Sequence, residues 1–421
     1  MKINIIEQNP FKNLSSFEKI ILLFPFCIVA GPAIMNIYLF SVSILLLYNF
    51  FKNKKFKIEK NFYWIIFYFI FIIYCIIISF FATDVYNSLR ASIGQVRFLL
   101  FSLFIMFFFK DIKNLNFLIN TWLALVMIVT LDIFFQSIFL FNIIGIPMSY
   151  GGRPSSFFGH EVIAGTFIVY SFIPIIFYYM NNFIEGNFRT KTKYVIFYSL
   201  IFYAVVITGE RLALIMLLGT TLLSAIFFLR FMQIIIVFVF FSIFIFLTYK
   251  FNLMFQNRLD LMIEVLTNFY HSSWGRLYES SYMLFKEHYL SGVGLKNYRV
   301  DCDFQIDPRP YHPAQFCSTH PHNFYLEILS ETGLTGFSIF SIFFILILIS
   351  LRSIINFKNK NSNLLNYARG SLVILIIYVW PIKTSGSFFT TFNASFFWFN
   401  LGLAVLIVKN YSKLNLKSDF S

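Results

Sequence analysis

The stretch Ser318–Leu351, STHPHNFYLEILSETGLTGFSIFSIFFILILISL, changes character part-way along. From Thr335 onward it carries no Asp or Glu, Lys or His, and it is apolar enough to enter a bilayer. Ahead of that run stand His320, His322, Asn323, Glu327 and Glu331. Polar groups this close to a membrane are costly, and they mark chemistry more often than packing. The stretch therefore predicts a helical membrane protein whose site sits at a membrane edge, with His322 as its working residue.

The whole chain agrees with that class. Of its 421 residues 58% are hydrophobic and 12% are charged, and the mean hydropathy is +0.74. A soluble domain carries about 25% charged residues. Runs long enough to cross a bilayer need about 20 apolar residues, and about twelve are counted on that basis. They lie near 19–34, 36–51, 62–82, 91–109, 116–141, 161–180, 194–209, 212–229, 232–250, 335–351, 367–383 and 391–408. Phe is so abundant, at 61 residues, that single Phe stripes carry no functional weight. The opening MKINIIEQNPFKNLSSFEK is too polar for a cleavable signal, so the first span is expected to stay. The fold expected is all-α and polytopic, with about twelve spans and one large outer loop between the ninth and tenth. It divides into 1–250 (nine spans), 251–334 (the loop) and 335–421 (three spans and a tail).

The net charge of +14 reports orientation. Lysines and arginines flank cytoplasmic span ends. Lys2, Lys12 and Lys19 lie on one side, followed by Lys52, Lys54, Lys55, Lys57 and Lys60, then Lys110 and Lys113. Arg189, Lys191, Lys193, Arg230, Arg352, Lys358, Lys360, Arg369, Lys409, Lys413 and Lys417 fall on that same side. Both termini are thereby expected in the cytoplasm, and the excess of cations does not indicate nucleic-acid binding. The outer side holds the loop 251–334, of roughly 80 residues, and loops of this length usually carry function. Within it Ser273–Tyr289 reads as a surface helix with Leu277, Tyr282 and Leu284 or Phe285 on one face. Cys302 and Cys317 also fall there, and an oxidising compartment would let them pair. The enclosed segment of about 15 residues corresponds to about 3 kcal/mol from a bridge. Zinc would need further ligands, because the CxxC spacing is missing.

The other unusual residues gather on the outer side too: Arg90, Arg97, Asp132, Arg153, His160, Glu161, Glu210, Arg211, His320 and His322. Each has a plain alternative. Arg97 snorkels or pairs with Asp132, Glu210 and Arg211 neutralise each other, and His320 caps a helix with Pro321 at its first position. Those alternatives leave the co-location unexplained. Arginine grips phosphate oxygens bidentately and cannot lose its charge, so several at this depth fit a lipid pyrophosphate. The helix starting near His322 would turn backbone N–H groups toward the same anion. A histidine beside it would deprotonate an incoming hydroxyl. No carboxylate-rich metal cage is visible, so arginines are expected to stabilise the leaving group.

These residues resemble a known family. His322-Asn323, nine residues, Gly333, two residues and Gly336 form the pattern of the O-antigen ligase and polymerase superfamily of bacterial glycosyltransferases. GVGLKNYR at Gly292–Arg299 is similar to its Gly-x-Gly element, TGER at Thr208–Arg211 to its arginine turn, and GRPSSFFGHE to its Arg-led loop. The resemblance implies an inverting, metal-independent transferase, without a cofactor, at the periplasmic face of the bacterial inner membrane. Its donor would be a glycan on undecaprenyl pyrophosphate, and its acceptor a lipid A-core hydroxyl. His322 would be the general base and Arg211 the catalytic pyrophosphate ligand, with Arg153 and Arg97 assisting and Asn323 orienting. His320, Glu210, His160, Glu161 and Arg276 complete the candidate binding residues. A polymerase joining lipid-linked repeats, or a protein O-oligosaccharyltransferase, would share the donor site. A secondary transporter would instead place charges near the midplane and show repeated halves.

Overall fold

The computed structural model describes residues 14–53, 62–109, 114–228, 231–304, 316–356, 362–381 and 386–418. Lys2, Lys12, Lys54, Lys55, Lys57, Lys60, Lys110, Lys113, Arg230, Lys358 and Lys360 of the orientation argument lie outside the described residues. Among the described residues the fold is helical, with isolated bridges such as Ser149 with Arg153 and no named strand.

In chain order the helices are α1 (Ser16–Ile21), α2 (Phe24–Val29), α3 (Pro32–Asn53), α4 (Tyr63–Ser79), α5 (Val85–Gly94) and α6 (Val96–Phe108). Next come α7 (Leu115–Phe139), α8 (Ala164–Glu185), α9 (Phe188–Ile207), α10 (Arg211–Phe228), α11 (Phe231–Phe251) and α12 (Leu253–Thr267). The remainder are α13 (Ser273–Glu287), α14 (Tyr298–Asp301), α15 (Phe324–Leu351), α16 (Ser353–Asn356), α17 (Asn363–Tyr378) and α18 (Thr391–Ser418).

Among the described residues seven helices are long and apolar enough to cross a membrane, or eight if the bent pair α11–α12 counts as one. Three shorter apolar helices, Tyr63–Ser79, Arg211–Ser224 and Asn363–Tyr378, stand beside them. The chain is a multi-pass membrane protein, and the helices of full membrane length among the described residues number fewer than the twelve apolar runs. The expected span at 19–34 shows one reason. Pro25 sits in the first turn of α2, and Gly31, with φ +104°, precedes Pro32 at the start of α3, so the run breaks into separate helices. The run 91–109 changes helix at Gln95, between α5 and α6, yet Val85–Phe108 still counts as one membrane-length span. Helix α15 begins at Phe324 rather than near 335, and its kink at Gly333 marks where the apolar run starts. The surface helix is present as α13, but it buries Leu277 and Leu284 and leaves Tyr282 outside. Residues seven apart share a helix face and residues five apart do not.

Helix α17 packs on α8 and α18, α18 on α6, and α15 on α4. Rings fill the seams. Trp64, Tyr68, Phe343 and Trp398 form one group, with Tyr68 and Trp398 centroids 4.5 Å apart. Phe24, Phe101, Trp122, Phe396 and Phe399 form another. The Phe of these two groups is thus bundle packing.

Candidate active site

Asn323 begins α15. Its Oδ1 accepts from the Tyr325 and Leu326 amides at 3.0 and 3.1 Å, satisfying two of the orphan donors of the first turn. The cap is Asn323 and not His320, and those two amides are already engaged, so they are not open to an anion. The other side of the amide donates to the Pro381 carbonyl at 3.2 Å and to the Tyr278 hydroxyl at 3.4 Å. His322 precedes the cap with φ +55°, a left-handed conformation uncommon outside glycine. Its ring meets Trp274 edge-on at 4.7 Å and lies 4.0 Å from the His320 ring. Burial, and then the neighbouring His320, pull the imidazole down to about 4. His322 is therefore neutral near pH 7 and able to accept a proton.

The two glycine motifs turn out to be one joint. The Val293 and Gly294 amides donate to the Ser330 and Glu331 carbonyls at 3.0 and 2.8 Å. Beyond the kink, Leu334 N donates to Tyr289 O at 2.8 Å. A side chain on Gly292 would meet the Glu331–Gly333 backbone, and one on Gly333 would meet Leu290 and Ser291. Both glycines have positive φ, so the pattern exists to let two backbones touch. Tyr74 at the end of α4 donates to Thr332 O at 2.9 Å and fixes the joint to the bundle.

Lys296 reinforces that joint. Its Nζ lies 3.3 Å from Glu327 Oε1 and also bonds Ser387 Oγ. Glu327 Oε2 accepts from the Phe388 amide at 3.1 Å. Cys302 and Cys317 are joined as a disulfide, with Cα atoms 5.3 Å apart, so their sulfurs are not open to a metal.

A second group of residues lies around Arg211. Gln136, fully buried in α7, accepts from the Ser155 and Ser156 amides at 2.8 and 2.7 Å and donates to the Ile146 and Pro147 carbonyls. Asp132 accepts from Ile143 N at 2.9 Å and Ser156 Oγ at 2.5 Å. It shapes the loop that presents Arg153 and is not paired with Arg97. Glu210 turns to the start of α8, accepting from Gly165 N at 2.6 Å, Thr166 N at 3.0 Å and Thr166 Oγ1 at 2.8 Å. Burial outweighs these bonds and the nearby Arg153, raising the carboxyl to about 7. The plain alternative, mutual neutralisation of Glu210 and Arg211, does not hold: the acid is spent on α8.

Arg211, Arg258 and Glu210 line a cavity of about 130 Å³ whose apolar walls include Val206, Leu214, Leu218, Ile245, Phe255 and Met262. Arg153, Arg211 and Arg258 bear on one another as like charges, and none has a salt-bridged carboxylate among the described residues.

Both groups lie at the same end of the bundle. Phe158, from the Arg153 loop, touches Phe392 at the start of α18, with centroids 6.2 Å apart. The segment just before α18 is the one that bonds Glu327. No hydrogen bond, ion pair or ring contact among the described residues joins His322 directly to Arg153, Arg211 or Arg258.

A family model described as O-antigen ligase matches residues 196–341, about a third of the chain. Over that segment the chain is similar to the O-antigen ligase family. No curated protein matches the chain. The O-antigen ligase match takes in Arg211, Arg258, Lys296, His322 and both glycine motifs, and leaves Arg97, Arg153, His160 and Glu161 outside.

Arg97 does not join the arginine group. Its Nη1 donates to Gly94 O at 2.5 Å and its guanidinium lies over Phe98, at the break between α5 and α6. His160 and Glu161 are exposed on the loop, and His160 contributes its carbonyl to Ser149 Oγ at 2.7 Å. Arg276 is buried in α13, 5.8 Å from the Phe316 ring. Sequence reasoning missed Trp274, Tyr278, Lys296 and Arg258. Lys296 sits inside the quoted GVGLKNYR, and its positive neighbourhood to Glu327 had no spacing signal because a long loop separates them.

Proposed function

We propose that the chain is an O-antigen ligase-like glycosyltransferase. It moves a glycan from undecaprenyl pyrophosphate to a lipid A-core hydroxyl at the periplasmic face of the bacterial inner membrane. The observation that carries this is the arginine group. Arginines in excess over the one part-ionised carboxyl, Glu210, beside an apolar cavity suit a ligand with an anionic head and a hydrocarbon tail. The superfamily is a glycosyltransferase class acting on lipid-linked glycans, which supports the same ligand.

The reaction then needs few parts. The acceptor oxygen attacks the anomeric carbon from the face opposite the pyrophosphate, and the configuration inverts. The bond between that carbon and the pyrophosphate oxygen breaks, and its electron pair leaves with undecaprenyl pyrophosphate. The hydroxyl proton passes to the neutral imidazole of His322 and later to water. Arg211, with Arg153, stabilises the charge growing on the leaving oxygens, the role a divalent cation has elsewhere. Arg97 is left out of that pocket, because its contacts lie at the α5–α6 break. Asn323 fixes the first turn of α15, so the imidazole is aimed by backbone rather than by a carboxylate.

The test is transfer by the full chain reconstituted with lipid-linked glycan. Glycan appearing on lipid A-core supports the ligase. Glycan appearing only on another lipid-linked repeat makes the protein a polymerase, and glycan appearing on protein side chains makes it an oligosaccharyltransferase. No transfer to any acceptor, with movement of a solute across the membrane, makes it a transporter.

A further inference from the structure

We infer that Arg258 is a third phosphate-binding residue of this site, and that it lets the protein select a diphosphate-linked lipid over a monophosphate-linked one. The inference rests on the donor reading above and adds a residue and a selectivity to it.

The chain bends by 107° between α11 and α12, which turns α12 back across the head of α10. Arg258 reaches from α12 to two turns at once. Its Nη2 donates to the Gly151 carbonyl at 3.2 Å, in the turn that carries Arg153. Its Nε and Cδ lie against Gly209, where an added Cβ would stand only 2.8 and 2.9 Å away. Gly209 and Gly151 both have positive φ, so glycine serves the turn and clears the path of the guanidinium. Three elements thus converge on one side chain. Arg258 spends one of its donors on Gly151, while its Nε is buried without a hydrogen-bond partner. Arg153 Nε is in the same state.

Gathering Arg211 and Arg258 against an apolar wall, with Arg153 close enough to repel both, costs free energy through repulsion and desolvation. Two would match a lipid monophosphate. Glu210, at about 7, offsets Arg153 only in part, so the third guanidinium favours an anion with more charge and more oxygens, which a diphosphate ester supplies. The apolar wall beneath, with Leu214, Leu218 and Met262, favours a tail over the free ion.

The experiment measures binding to the purified full chain by a prenyl diphosphate, the monophosphate with the same tail, and inorganic pyrophosphate. The wild type is expected to bind the prenyl diphosphate most tightly. Arg258→Gln should weaken that ligand by about tenfold to a hundredfold while changing the monophosphate little, so the preference collapses. Arg258→Lys, which keeps the charge and loses the fork, should fall between. A thermal midpoint matching the wild type shows that either variant is folded. If only Arg258→Lys folds, its loss of preference carries the test. If the wild type binds neither lipid, the donor reading fails first. If it binds the diphosphate and both variants bind it equally well, that reading stands and the role of Arg258 is overturned. Equal losses on both lipids overturn the selectivity, and inorganic pyrophosphate binding as tightly as the lipid overturns the lipid as ligand.

Discussion

Around His322 the first turn of α15 and the glycine joint are tied to other elements by backbone hydrogen bonds, whereas around Arg211, among the described residues, cations are gathered with no carboxylate salt-bridged to them. The histidine side has a capped helix, a backbone joint through Gly292 and Gly333, a buried ion pair and a disulfide. The arginine side has rigid turns but unbalanced charge. The contrast separates two tasks. A base must be aimed before the acceptor arrives, and fixed dipoles achieve that without reorganisation. A phosphate site gains from charge left unpaired until the anion enters.

The sharpest way to break the contrast is to remove one residue from each side. His322→Ala should lower turnover by about 10²–10⁴, the usual contribution of a positioned base, and leave the donor KM nearly unchanged. Arg211→Lys should act mainly on donor affinity, because a point charge replaces a fork. Steady-state kinetics with varied donor decide it. A raised KM in the first variant, or an unchanged donor affinity in the second, reverses the assignment.

Next in size is the ion pair. Lys296→Met leaves Glu327 buried without its cation, at a cost of about 3–5 kcal/mol. Thermal unfolding in detergent should show a clear drop, and adding Glu327→Gln should recover part of it. A midpoint that does not move would mean that the pair leaves the joint unaffected. Gly333→Ala should cost about 2 kcal/mol or more, since φ is +64° and the new methyl would collide with the Leu290 carbonyl. Gly219→Ala is the control, because nothing lies within 4 Å of its added Cβ and its φ is ordinary. Similar losses in the two would remove the special status of the joint.

The apolar runs made the helices legible, since burial in lipid leaves little else for them to be. Their continuity was not legible, because Pro25 and Gly31 interrupt a run that hydropathy alone reads as whole. His322 stood out as a polar residue beside an apolar run, and Arg211 as a charge in a tight turn. Arg258 gave no such sign. It lies in an amphipathic stretch, where a single arginine is ordinary, and only the bend at α11–α12 brings it to Gly209. Glu210 beside Arg211 suggested a local pair, yet the unsatisfied amides at the start of α8 claimed the acid instead.

The smallest expected effect is a shift in pH dependence, and it tests the histidine side alone. An ordinary histidine titrates near 6.5, and burial holds His322 at about 4. Between those values the unfolded chain takes up a proton that the folded chain refuses. The stabilising contribution is therefore whole above 6.5 and is lost as pH falls toward 4. The acid limb of kcat/KM set by His322 should lie near 4, because that limb reports the free protein. The limb of kcat should lie higher, since a bound diphosphate stabilises the imidazolium. His320→Asn removes the neighbouring imidazole and should move the kcat/KM limb upward without restoring the ordinary histidine value, burial being the larger cause. Glu210, at about 7, is the competing titration, facing Arg153, Thr166 and Tyr170. A limb near 7 that vanishes in Glu210→Gln belongs to that carboxyl. A limb that stays near 6.5 in Glu210→Gln and in His320→Asn alike would mean that the imidazole of His322 is solvated, and a solvated imidazole has lost the rigid seat that sets it apart from the arginines.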